Sequence, residues 1–206
     1  VMGLGTLLAL KQFYDHLHEE RLSQVRVVAE SAAAILRYEK GQTDQGLVTD
    51  AEARDAALAS IEAIRFDKTN YVFVYTMDGT ALASGPAKER IGKNFIAEAD
   101  ANGLAFIKAM ADIARKGGGT VAYQFKNPAT GVLGNKVSYA LEIEGWGWFV
   151  GAGLYTDDII GVMVDTIQEL TVVVGPLVIV FALFGWFLAR GLARPLGSLT
   201  GGLHRL

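Results

Sequence analysis

Hydrophobic positions along this chain change period several times, and each change marks an element. From Leu7 to Glu39 there is neither proline nor glycine, while Leu22, Val25, Ala29, Ala32 and Leu36 recur at alternating spacings of three and four. That is one face of a helix. The run predicts a single helix over 7–39, about 50 Å long at roughly 1.5 Å per residue. Its stripe suits a partner helix or a sheet equally, and so long a helix can act as the spine of a membrane-proximal dimer. The polar stretch GQTDQGLVTD reads as a loop, after which Thr49 or Asp50 can cap a second helix through Ile64, with Ala53, Ala57, Ile61 and Ile64 inward. At Tyr71 the period becomes two. YVFVYT is a strand, Asp78-Gly79 a tight turn and TALAS a second strand, which together make a hairpin. A helical stretch over 102–116 follows, with Phe106, Ile107, Met110 and Ile113 on its apolar side and three glycines, 117–119, ending it. TVAYQF, KVSYALEI and WFVGAGLY supply three more strands, and a last helix begins near Thr156. The order predicts an α+β fold: a five-stranded antiparallel sheet packed on a long N-terminal helix.

After that sheet the alternation disappears. TVVVGPLVIVFALFGWFLA, 171–189, carries no charge and is closed by Arg190. Its length nearly matches the roughly 30 Å hydrocarbon core of a bilayer, and its internal Gly175, Pro176 and Gly185 are tolerated in such a setting. The run predicts a C-terminal transmembrane helix that continues directly from 159–170; the alternative is a buried core helix. Arg190, Arg194 and Arg205 follow the run, which puts the tail in the cytoplasm and the main domain outside. The first ten residues, VMGLGTLLAL, are also uncharged but too short to span alone, and they lack the basic start of a signal peptide. They are expected to be the end of a first transmembrane helix, the alternative being an interfacial or buried helix start. The expected organisation is therefore 1–10 membrane, 11–170 one domain with its own core, 171–189 membrane and 190–206 cytoplasmic.

Composition narrows the function. There is no cysteine, which excludes a disulfide framework, a thiolate nucleophile and Cys-ligated metal. Net charge is −3, and no basic stripe is interleaved with aromatics, so nucleic acid is not an expected partner. His16 and Glu20 are neighbours on a helix but His18 points elsewhere, so no metal site is expected. Asp157 and Asp158 are adjacent rather than opposed across a cleft, and the three glycines at 117–119 lack the Lys-Ser/Thr of a phosphate loop. No catalytic residue and no cofactor is assigned.

What remains is binding. Tyr71, Phe73 and Tyr75 share one face of the first strand, an aromatic floor with hydroxyls at either end, or else ordinary core. Lys136 opens the KVSYALEI strand with Ser138 on its face, placed to hold a carboxylate, or else solvated at a sheet edge. Trp146 and Trp148 share a parity before the last strand, where one can close a pocket over an alkyl tail or plug the end of the sheet. Tyr123 and Tyr139 are weaker candidates, since a one-residue slip reverses their face.

The stretches RFDKTNYVFVYTMDGTALAS, GKNF, DANGLAFIKAMADIARKGGGTVAYQF and KVSYALEIEGWGWFVGAGLYTDD, at their separations, make residues 52–158 resemble the single Cache family of extracytoplasmic sensor domains. The likeness is to the type found in methyl-accepting chemotaxis proteins, and RPLGSL resembles the opening of a HAMP linker. The resemblance implies a PAS-like sheet holding a small ligand, often a short organic acid, with no catalysis. It also implies a homodimer in the inner (plasma) membrane, crossing it more than once, and cytoplasmic signalling partners reached through regions beyond 206. Lys136 matches the family's frequent lysine before Ser-Tyr. Arg65, before the first strand, is a candidate carboxylate clamp by the same resemblance, or else a member of a surface ion pair. Many relatives carry His-Pro at the end of the second strand where this chain has Ser84-Gly85-Pro86; Ser84 can donate a hydrogen bond but cannot be a cation. The expected function is a chemoreceptor's sensor. A histidine kinase or nucleotide cyclase sensor, and a non-sensing anchored dimerisation module, stay open.

Overall fold

A computed structural model describes residues 2–67, 70–128, 130–157 and 159–200, and the side chains of some helical residues near 1–9 and beyond 158 are not among those described. The first helix, α1, runs Met2–Asp44. Val25, Ala29, Ala32, Ala33 and Leu36 are fully buried along it. Alanines on that face let the helix lie close to a sheet, where long side chains would hold it away. The second helix, α2, spans Asp50–Ala63. Thr49 is its N-cap: its Oγ1 accepts from Glu52 N at 3.3 Å, and Glu52 Oε2 accepts from Thr49 N at 2.9 Å, a reciprocal capping box.

Among the described residues six strands make the sheet: β1 (Arg65–Phe66), β2 (Asn70–Thr76), β3 (Ala81–Ala83), β4 (Gly119–Lys126), β5 (Leu133–Ile143) and β6 (Trp148–Tyr155). The order is β1-β2-β6-β5-β4 with β3 pairing β2, and every pairing is antiparallel. Five strands match the expected ones. The sixth, β1, is two residues long, and a pair has no period for a sequence to display. Helix α3, Phe106–Ala114, is shorter than the expected 102–116. The residues before it form a turn around Asp100, whose Oδ1 accepts from Asn102 N and Leu104 N, both at 2.9 Å, and whose Oδ2 accepts from Gln124 N at 3.0 Å on β4. That side-chain competition for backbone donors outbids the helix.

Helices cover both faces of the sheet. On one, Val72 and Val74 of β2 and Val150 and Ala152 of β6 pack with α1 and α2. On the other, Tyr71, Phe73, Tyr75 and Phe149 meet Phe106, Ile107 and Met110 of α3. Alternation along each strand separates the two sets.

The last helix, α4, is Ile159–Thr200. Its stretch Gln168–Leu188 is long and apolar enough to cross a membrane, and none of it is buried. Arg190 lies with its Cζ 4.2 Å from the Trp186 ring. The expected cytoplasmic segment lies outside the described residues from 201 onward, as do Val1 and Asp158. Asp157 accepts from Asn135 N at 2.6 Å and Nδ2 at 2.7 Å, pinning the early part of β5.

Candidate functional site

Strand register builds one row of side chains across the α3 face. Tyr123 of β4 stands opposite Lys136 of β5, which stands opposite Tyr155 of β6. The next row is Val121, Ser138, Gly153 and Tyr71. Gly153 is a gap in the wall: a Cβ there would strike Ser138 Oγ and come within 2.6 Å of Lys136 Cε. Gly151 does the same one row on, where a Cβ would lie 2.5 Å from the Phe73 ring. The two glycines open a trough along β6, and the lysine stem occupies part of it.

Lys136 is 2% exposed. Its Nζ is 4.2 Å from the Tyr71 ring centroid and 5.2 Å from those of Phe125 and Tyr155, close enough for cation–π attraction. No carboxylate pairs with it among the described residues. Burial, and then the charge of Arg90, lower its pKa to about 7. A buried ammonium without a counter-ion is costly, so the position is one that favours an incoming anion.

Around it lies a small cavity of about 10 Å³, lined by Tyr71, Phe73, Tyr75, Tyr123 and Phe125 of the sheet, by Ser84 just after β3, and by Phe106, Ile107 and Met110 of α3. Phe106 stacks on Tyr123 with ring centroids 4.6 Å apart. The polar atoms are hydroxyls. Tyr123 OH and Ser138 Oγ are 2.9 Å apart. Tyr75 OH accepts from Arg90 Nε at 3.2 Å, which leaves its own proton to give. Burial pushes the phenols of Tyr71 and Tyr123 above their ordinary range, so both stay protonated donors at neutral pH. Burial also opposes the charge on Arg90, but its hydrogen bonds to Glu98 and its interaction with Tyr75 outweigh this and raise its pKa.

Tyr71, Phe73, Tyr75, Ser84 and Lys136 therefore line one cavity, and Ser138 lies beneath it, buried, holding Tyr123. Arg65, Trp146 and Trp148 are elsewhere. Arg65 is opposite Tyr71 in register, yet its Nη1 donates to the carbonyls of Glu62 at 2.7 Å and Ile64 at 2.8 Å, satisfying the end of α2. Trp148 has the parity of Val150, not of Phe149, and so belongs to the α1/α2 face. Trp146 donates its indole N–H to Asp50 Oδ1 at 2.9 Å, and Arg54 Cζ lies 5.2 and 4.8 Å from the Trp146 and Trp148 rings. The two tryptophans clamp the start of α2 to the sheet. Sequence reasoning passed over the cavity wall given by α3 and Phe125, and over Arg90. The apolar face of α3 was visible, but which sheet face it would cover was not.

An antiparallel sheet enclosing a small cation-bearing cavity under one helix is the architecture of a PAS-like ligand-binding sensor domain. The chain belongs to the single Cache family, the description "Single Cache domain 2" matching residues 17–169. It is 28% identical over 192 residues to the methyl-accepting chemotaxis protein McpP of Pseudomonas putida, covering 92% of this chain and 35% of that protein. Against the sensor histidine kinase MctS of Rhizobium johnstonii it is 30% identical over 122 residues, covering 59% of this chain and 25% of that one. The chain thus spans about a third or less of the length of these two relatives. A solved structure described as the periplasmic sensor domain of a chemotaxis protein is similar with TM-score 0.65 and 28% identity, over 68% of this chain and 97% of that one.

Proposed function

We propose that this protein is the sensor region of a transmembrane chemoreceptor, that its ligand is a short carboxylate, and that occupancy is signalled through α4. The observation that carries the ligand class is Lys136: a buried ammonium with no carboxylate partner among the described residues, facing a cavity whose other polar groups are neutral donors. In this reading the ammonium holds one carboxylate oxygen. Tyr75, whose lone pair is taken by Arg90, and Ser84 donate to the anion, while a short alkyl tail rests on Phe73, Ile107 and Met110. Room for about one water cannot admit even a two-carbon acid without side chains moving. Binding then favours one arrangement of the α3 face over another, and a difference of that kind is what a receptor needs in order to signal.

Residues 11–170 are the sensor, outside the cytoplasm; 171–189 cross the membrane, 190–206 begin a HAMP-like linker, and 1–10 end a first membrane helix. The arginines after the apolar run support this orientation. The assembly is a homodimer, with lipid around its membrane helices, and the domain performs no catalysis. Likeness to MctS favours one second reading, the same sensor placed ahead of a histidine kinase. The sequence following Leu206 decides between a signalling hairpin and a kinase domain.

The test is calorimetric titration of the purified chain in detergent with short monocarboxylates, dicarboxylates and amino acids. Saturable binding of a short acid is expected, and Lys136→Met should weaken it by about 2 kcal/mol, roughly thirtyfold. No binding across the series would reject the ligand class. Binding indifferent to Lys136→Met would remove the lysine from the site.

A further inference from the structure

The second cation near the cavity is Arg90, and it is already engaged. It closes the short helical turn Lys88–Arg90 that follows β3. Its Nη1 donates to Glu98 Oε1 at 3.1 Å and its Nη2 to Glu98 Oε2, a two-pronged pairing. Its Cζ lies 3.6 Å from the Phe95 ring centroid and 5.3 Å from that of Phe125. The arginine side chain is 11% exposed, so its charge is largely withdrawn from water and its partner matters more than in a surface pair.

Arg90 stands between two spaces. Tyr75, which it holds, and Phe125, which it stacks near, line the Lys136 cavity. Arg90 and Glu98 themselves line a broader groove of about 630 Å³, and Phe106 and Phe125 are common to both spaces. A ligand held at Lys136 by one carboxylate, and too long for the small cavity, would carry its other end past these rings toward Arg90. There a second carboxylate meets a guanidinium with three of its five N–H groups committed, two of them to Glu98, together with the negative charge of Glu98 itself. Such a group must be desolvated beside a like charge and against a cation that Glu98 already neutralises, which is how a site rejects a near relative of its ligand.

We infer that Glu98 is a specificity determinant: by occupying Arg90 it restricts the site to ligands with a single carboxylate, and removal of its charge admits dicarboxylates. This rests on the carboxylate reading above. Glu98 is a positioning residue in this scheme, acting through Arg90 rather than touching the ligand.

The experiment titrates the full chain in detergent with propionate and with succinate, for the unaltered protein, Glu98→Gln and Glu98→Gln combined with Arg90→Gln. The unaltered protein should prefer propionate by about tenfold or more. Glu98→Gln should tighten succinate by roughly tenfold and leave propionate within about threefold. The added Arg90→Gln should cancel the succinate gain, a result that mere loosening of the fold would not give. Glu98→Ala, which also removes the charge, should shift the ratio in the same direction and serves if the Gln variant unfolds on a thermal scan. An unchanged succinate-to-propionate ratio, with propionate still bound, overturns this inference alone. Failure of the unaltered protein to bind any carboxylate overturns the reading beneath it as well.

Discussion

Lys136 keeps its ammonium where a charge is disfavoured, and the consequence is measurable as pH dependence. Burial foremost, and Arg90 after it, bring its pKa from 10.5 down to about 7 in the folded protein. Between those two values the unfolded chain binds a proton that the folded chain does not. Stability should therefore rise as pH goes from about 7 to about 10.5, since the unfolded state holds more protons in that window. Lys136→Met removes the slope and should be more stable than the parent at pH 7 and below, because an unpaired buried charge is replaced by a fitting apolar chain. Denaturant midpoints at several pH values check both statements. Carboxylate binding runs the other way. It needs the charged form, so affinity should fall by about tenfold per pH unit above roughly pH 7 and be level below it until the acid's own carboxyl begins to protonate; a level profile above pH 7 would separate the ammonium from binding. Lys136 was legible as a candidate because it begins the KVSYALEI pattern with a serine of the same parity, although β5 itself starts at Leu133 and lies between β4 and β6 rather than at an edge. Its burial was not legible, since Tyr71, Phe125, Tyr155 and Gly153 come from other strands. Arg90 had no signal at all: it sits in an aperiodic loop, and its meaning depends on meeting Glu98 and Tyr75 in space.

Periodic elements were the most readable. The β2 alternation placed Tyr71, Phe73 and Tyr75 on one face, and the structure has them on the α3 side together. The parity of the two tryptophans was read just as easily, but parity does not say which face is which; only the pairing with β2 and the hydrogen bond to Asp50 place them with α1 and α2. The turn at Asp100 took residues from the expected helix by hydrogen bonds to three backbone N–H groups, one of them on a strand distant in sequence. Thr49, by contrast, carried its role locally. Thr49→Ala should cost about 1 kcal/mol of stability by thermal unfolding and leave ligand affinity unchanged, since α2 covers the face opposite the cavity. A loss of binding in that variant would mean that the two faces are coupled more tightly than their packing implies.

The chain as a whole separates into two compact units, 1–159 and 160–206, joined in sequence just after β6. That strand is central in the sheet, bonded to β2 on one side and β5 on the other. It touches both the aromatic wall and the lysine strand, and it is bare of side chains at Gly151 and Gly153, where the trough runs. A methyl group added at Gly153 would press on Ser138 Oγ and the lysine stem, a crowding typically worth about 1–3 kcal/mol. Gly153→Ala should abolish carboxylate binding in the titration above. That one carbon would take the room the lysine stem now uses, so the missing side chain at 153 is what lets a long cation lie folded inside the sheet face at all.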